Sequence, residues 1–433
     1  MAKGNRSKGR IGILVGGGPA PGINGVISAA TIEARNNGYE VLGIPNGFED
    51  LMQGKTDRVR PLHIQDVTRI HLMGGSILGT SRANPLKKTS SKEDPMKTVI
   101  QGLDQLEITA LITIGGDDTA SSAGALTKEV SGRIRVAHVP KTIDNDLPLP
   151  GMASTFGFET ARHYGVEVIR NLMTDAQTTR RWYFVIAMGR STGHLTLGIG
   201  KAAGATLCII PEEYGLDVNR TISIKEVADV LETTMLKRII SQKPYGLVLL
   251  AEGIGGRLDP KEFEKATYDG VEYDEHGHVR LDEVDFGRIL CHEVRNRFKK
   301  RGDKVTIVKK NLGYELRCAP PIPFDLEYTR DLGFWAIRYL MKAKSQDPWG
   351  AMITIDQDKL KALSFEDFID PTTGRSKIRY VDIKGESFQV ARKYMIFLDQ
   401  SDLEDEATLK KFSAVSKMTP SEFRSHFGYL AKS

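Results

Sequence analysis

Cysteine is scarce in this chain: only Cys208, Cys291 and Cys318 occur in 433 residues, at spacings that suit neither a disulfide framework nor a zinc site. Such usage fits structural thiols in a reducing cytoplasm. No window approaches the ~20 apolar residues of a membrane span. Met1 to Arg10 is short, basic and polar, without the apolar stretch of a secretory leader. No basic run exceeds Lys299-Lys300-Arg301, and the formal net charge is only +5, which argues against a nucleic-acid surface. The nine histidines form no metal-ligand constellation; His276 and His278 read as turn residues and His194 as a backbone support. There is no internal repeat and no low-complexity linker. Membrane, nucleic-acid and disulfide-scaffold classes are therefore set aside.

What remains is a chain with 40% apolar residues, longer than the ~250–300 residues at which single cores stop growing. Two packed domains are expected. The opening alternates strand and helix: Ile11 to Val15, a loop Gly16-Gly17-Gly18-Pro19-Ala20-Pro21-Gly22, a helix from Ile23 to Asn37 ended by Gly38, then a strand from Glu40 to Ile44. This is a βαβ unit, the start of a parallel sheet. Its glycines do not spell Gly-x-Gly-x-x-Gly, so a dinucleotide fold is weakly supported. A second glycine loop runs from Met73 to Arg82, followed by a polar loop from Asn84 to Met96. Apolar spacing predicts a helix over Ser154 to Met173, with Phe158, Ala161, Gly165, Val168, Ile169 and Leu172 on one stripe. Strands are predicted at Trp182–Ala187 and Leu247–Leu250. Pro260 to Asp285 reads as an accessory hairpin or loop, the surroundings of Asp370-Pro371-Thr372-Thr373-Gly374 as a hairpin, and Thr419 to Glu422 as a capped helix start.

Two segments carry the chemistry. Gly115-Gly116-Asp117-Asp118-Thr119 follows the β-branched run Leu111 to Ile114; Pro140-Lys141-Thr142-Ile143-Asp144-Asn145-Asp146 follows Ile134 to Val139. In an open α/β sheet ligands sit beyond the carboxyl ends of strands. Glycines admit a phosphate closely, and the carboxylates can hold a hard cation or take a proton. The combination reads as phosphoryl transfer. The plain alternatives are a helix N-cap at Asp117-Asp118 and an Asx-turn among the later aspartates.

On these motifs the chain resembles the phosphofructokinases, from about Ile11 to about Trp349, and within them the pyrophosphate-dependent branch. ATP-using members carry glycine where Asp118 and Lys141 stand. A lipid or NAD kinase would lack the second motif and Met188-Gly189-Arg190, and a non-catalytic regulatory relative would be expected to have lost Asp117 or Asp144. The resemblance implies an α/β fold of two doubly wound domains with mainly parallel sheets and an active site in the cleft between them. It places the larger, donor-binding domain at 1–154 plus about 320–400, a sugar-phosphate domain at 155–319, and a helical tail at 401–433.

The same resemblance implies Mg²⁺ at Asp117, and pyrophosphate bound through Gly17, Gly18, Arg82, Gly116, Asp118 and Lys141. It makes Asp144 the general base, Thr142 a positioner of the moving phosphoryl group, and Lys141 and Arg82 the cations that support it. Fructose 6-phosphate would meet Thr142, Ile143, Asp144, Asp146, Arg181, Met188, Gly189, Arg190, Glu252, Tyr314 and Arg317, with Arg181 reaching a neighbouring subunit's substrate. A cytoplasmic homodimer or homotetramer in glycolysis or gluconeogenesis is expected. An arginine that the family places six before Tyr314 is Val308 here, with Lys309 and Lys310 beside it.

Overall fold

The computed structural model describes residues 7–87, 94–130, 132–151, 153–217, 220–259, 261–262, 285–342, 348–368 and 377–432. Most of the segment expected at Pro260–Asp285 and the hairpin around Asp370–Gly374 lie outside these residues. Two compact units are formed, Met1–Ala161 with Tyr314–Arg379, and Arg162–Gly313 with Tyr380–Ser433. The strands are, in chain order, β1 (Arg10–Val15), β2 (Glu40–Gly43), β3 (Arg60–Pro61), β4 (Ile108–Gly115), β5 (Arg135–Pro140), β6 (Trp182–Ala187), β7 (Leu207–Ile209), β8 (Gly246–Ala251), β9 (Ile307–Leu312), β10 (Gly350–Asp356) and β11 (Lys359–Leu363).

The first unit holds a seven-stranded sheet in the order β11-β10-β5-β4-β1-β2-β3. Its five central strands run parallel, and only the edges β3 and β11 are antiparallel. A parallel sheet is covered on both faces, so its strands need apolar residues on both sides. That is why β4 reads as an almost unbroken apolar run and is buried at every position but Thr109. The helices Ile23–Asn36 and Pro323–Lys342 cover one face through Val26, Ile27 and Ile337. Pro95–Gln105 and Asp117–Glu129 cover the other through Val99, Leu103 and Leu126.

In this sheet the chain leaves β1 towards β2 on one side and β4 towards β5 and β10 on the other. Strand order reverses between β1 and β4, the place where open α/β sheets leave a crevice for ligand. Both glycine segments, at Gly16 and at Gly115, lie there. The second unit repeats the principle on a four-stranded, all-parallel sheet, β7-β8-β6-β9. Strands β6 and β8 are buried throughout. The C-terminal helices belong to this unit. They close on a stack of Phe412 and Phe423, whose ring centroids are 5.0 Å apart. The reciprocal cap predicted at Thr419 and Glu422 is present, with the Glu422 carboxylate accepting from the Thr419 N–H at 2.7 Å. Wholly buried Asp229 accepts from Lys225, Arg297 and Tyr429. Burial alone would raise its carboxyl, but those bonds together hold it below the usual carboxylate range.

One predicted helix is displaced. The segment expected at 154–173 is helical over Phe158–Thr179. Its start is set from a distance: buried Asp325 accepts from the N–H groups of Gly157 at 2.8 Å and Thr160 at 2.9 Å, serving as the cap that the local sequence lacks. No breaker interrupts the stretch after Met173, and the helix runs on to Thr179.

Candidate active site

Thr119 explains the two glycines that end β1 and β4. A Cβ on Gly16 would stand 2.4 Å from Thr119 Oγ1, and one on Gly115 would stand 2.4 Å from Thr119 Cβ. Only glycine at both positions lets the first turn of Asp117–Glu129 sit down on the strand ends. Gly16→Ala is therefore expected to destabilise the protein by about 1–3 kcal/mol, measured by urea unfolding. Thr119→Ala in the same background should recover part of the loss.

The first loop is pinned as well as close-packed. Gly17 adopts a left-handed φ of 80°, its N–H donates to the Ser81 carbonyl at 2.7 Å, and its own carbonyl accepts from Thr80 Oγ1 at 2.6 Å. Arg82, next along, is exposed and makes no hydrogen bond or ion pair with a described residue. Lys141 crosses to this loop: its ammonium donates to the Gly18 carbonyl, and its N–H donates to the Gly115 carbonyl at 2.8 Å. Arg317 lies on the same loop, its Cζ 3.4 Å from where a Gly18 Cβ would be. The structure thus brings Gly17, Gly18, Lys141 and Arg317 together.

Lys141 is only 5% exposed. Burial pushes its ammonium down to about 8; the carboxylates of Asp144, Asp146 and Asp117 work against that shift, and Arg317 adds to it. Beneath it, buried His138 on β5 shares a 2.8 Å hydrogen bond between Nδ1 and Thr113 Oγ1. Burial, helped by the charge of Lys141, lowers this imidazole to about 3, so it stays neutral.

Asp117 and Asp118 occupy the first turn of their helix, where negative charge is favoured. Asn84 Nδ2 contacts the Asp118 carboxylate at 3.4 Å, and Asn84 Oδ1 accepts from Ser122 at 3.2 Å. In the second motif, Thr142 Oγ1 accepts from the Asp144 N–H at 3.0 Å. The Asp146 carboxyl is raised, first by burial and then by the charge of Asp117, with its own backbone N–H and Thr142 acting in the opposite direction. A buried carboxylate whose charge a neighbouring carboxylate disfavours suits a hard divalent cation. Among the described residues no three His, Cys, Asp or Glu side chains are grouped to hold a metal. Mg²⁺ needs only one or two carboxylates, because water and phosphate oxygens complete its shell. The residues present fit it.

The second unit gathers a different set. Met188, Gly189 and Arg190 follow β6, Glu252 follows β8 and Gly313 follows β9. Gly189 has a φ of 131° and its carbonyl accepts from the Gly253 N–H at 3.0 Å, which ties the ends of β6 and β8. A Cβ on Gly253 would meet the Arg190 carbonyl at 2.5 Å. Arg181 precedes β6, with Nε 3.9 Å from Asp175 and unbonded. Tyr314, 78% exposed, lies with Arg317 in the first unit, and the Arg317 guanidinium stands over its ring. Lys309 is engaged by Asp285 at 2.6 Å. In the sequence Thr119 only ends the first motif and Asn84 only opens a polar loop; the packing of Thr119 on both glycines and the bonds of Asn84 to Asp118 and Ser122 have no local signal.

The profile of the phosphofructokinase family matches residues 10–340, and the chain belongs to that family. A pyrophosphate–fructose 6-phosphate 1-phosphotransferase of Thermotoga maritima is 51% identical over 423 residues, covering 98% of this chain and 99% of the relative. One of Naegleria fowleri is 48% identical over 426 residues, covering 98% and 96%. Among solved structures, the pyrophosphate-dependent phosphofructokinase of Marinobacter aquaeolei superposes with a TM-score of 0.62 at 16% identity, covering 90% of this chain and 92% of that one. This last likeness concerns the fold. Among the described residues no helix is long and apolar enough to cross a membrane.

Proposed function

We propose that this chain catalyses reversible, Mg²⁺-dependent phosphoryl transfer from pyrophosphate to the 1-hydroxyl of D-fructose 6-phosphate, giving fructose 1,6-bisphosphate and phosphate. The observation that carries this reading is the buried Lys141 ammonium on the Gly18 carbonyl, a fixed positive charge inside the first glycine loop. Gly17, Gly18, Gly116 and Arg82 receive pyrophosphate. Asp144 takes the proton of the 1-hydroxyl as that oxygen forms its bond to phosphorus. The bond from phosphorus to the leaving phosphate breaks, and Lys141 meets the charge that develops there. Asp117, with Asp146 beside it, would hold Mg²⁺, which would supply charge neutralisation to the bound phosphates. Thr142 orients the transferring group, while Ile143, Asp146, Arg181, Met188, Gly189, Arg190, Glu252, Tyr314 and Arg317 contact the sugar phosphate.

Asp118 sets the donor: its carboxylate repels an α-phosphate where ATP would place one. The setting is a cytoplasmic homodimer or homotetramer, with Arg181 serving the neighbour's acceptor. The test is a turnover assay of the purified chain with Mg²⁺ and fructose 6-phosphate, comparing donors at equal concentration. Pyrophosphate is expected to support turnover far better than ATP, and equal or better turnover with ATP would overturn the donor assignment.

A further inference from the structure

We propose that Arg379 is a positioning residue for the candidate catalytic loop, holding the turn Asp144-Asn145-Asp146 in the conformation that presents both aspartates; the inference rests on the phosphotransfer reading above. Asn145, between them, has a left-handed φ of 57°. Asparagine tolerates that region better than most residues, yet such a conformation persists only when its surroundings over-determine it. Arg379 supplies much of that determination. Its Nε donates to the Asn145 carbonyl at 3.0 Å and its Nη2 to Asn145 Oδ1. Nη1 donates to the Ala153 carbonyl at 2.8 Å, and the backbone N–H of Arg379 donates to the Asp146 carbonyl at 2.8 Å.

A single residue therefore grips the main chain of two successive residues, the side chain of one, and the carbonyl of Ala153 further along. Thr155 closes the loop from within: its N–H donates to Asn145 Oδ1 at 3.0 Å and its hydroxyl to the Thr142 carbonyl at 2.8 Å. Rotating Asn145 to a right-handed φ would swing both carbonyls that Arg379 holds and re-aim the flanking aspartates. Three divergent donors on one rigid plane are what a guanidinium offers and a lysine ammonium on a flexible stem does not. The grip is itself anchored. Lys377, two residues earlier, donates from its N–H to the Phe368 carbonyl at 2.7 Å and from Nζ to the Asp367 carbonyl at 2.9 Å. Arg379 reaches the loop from 234 positions away, so no local pattern announces it.

The experiment compares wild type, Arg379→Ala and Arg379→Lys as full chains, with pyrophosphate, fructose 6-phosphate and Mg²⁺. Misplacing a reacting group by about 1 Å costs roughly 100-fold. Arg379→Ala is accordingly expected to lose about 10- to 100-fold in kcat, with both KM values within about 3-fold of wild type. Guanidinium chloride at millimolar concentration should restore a large part of kcat to the alanine variant and leave wild type unchanged. A general loss of structure would not produce that rescue. Arg379→Lys covers the case in which the alanine variant does not fold: its thermal midpoint should stay near wild type while kcat still falls about 10-fold. Retained kcat in either folded variant, or a loss matched by lost folded protein and not rescued by guanidinium, overturns the inference alone. A wild-type chain without turnover would overturn the phosphotransfer reading, and this inference with it.

Discussion

Asp144→Asn is expected to lower kcat by about two to four orders of magnitude, the usual contribution of a positioned general base. The amide keeps the shape of the side chain and cannot accept the proton. Because the Asp144 backbone N–H is already held by Thr142 Oγ1, the loop should keep its course, and KM for fructose 6-phosphate should change little. The carboxylate also faces the Lys141 ammonium, whose charge it supports. Steady-state kinetics separate the effects: a base appears in kcat, whereas a purely electrostatic partner of Lys141 appears in KM for pyrophosphate. Near-wild-type kcat in the Asn variant would remove Asp144 from the base role.

The second large effect belongs to Lys141. Removing its ammonium in Lys141→Met deletes a charge-assisted contact worth about 1.5–3 kcal/mol, roughly 10- to 100-fold in kcat/KM for pyrophosphate. Its titration adds a pH signature. Burial lowers the ammonium to about 8, so in the free enzyme the attractive charge is present below that pH and is lost above it. The kcat/KM for pyrophosphate should therefore fall above about pH 8 in wild type. Lys141→Arg should lack that alkaline limb, because a guanidinium stays charged. Stability has its own sign. The unfolded lysine keeps its proton up to its ordinary value of 10.5, whereas the folded one releases it at about 8. Between those values the unfolded state binds more protons, so this group makes wild type more stable as pH rises through the window. Thermal melts against Lys141→Met across that range read the difference directly.

The legibility of these features follows a physical divide. The strands β1, β4, β5, β6 and β8 could be read because parallel strands buried on both faces are apolar runs, and glycines lie at or just beyond the ends of all but β5. The segments from Gly115 to Thr119 and from Lys141 to Asp146 could be placed at strand ends because each follows an apolar run. The start of the helix at Phe158 could not be read, because its cap is Asp325, far along the chain. Nor could the contact that sets Arg317 against Gly18, which joins distant parts of the chain.

By itself, then, the amino-acid sequence determined the strand-and-helix alternation of an α/β fold and placed two segments rich in glycine and carboxylate at strand ends. Both depend on local periodicity or on residues within a few positions of one another. The tertiary structure decided how Lys141 is buried and its charge weakened, why Thr119 demands glycine at both Gly16 and Gly115, and which distant arginine grips Asn145. Those outcomes depend on desolvation and on partners brought together from separate strand ends, and neither is a property of any short stretch of chain.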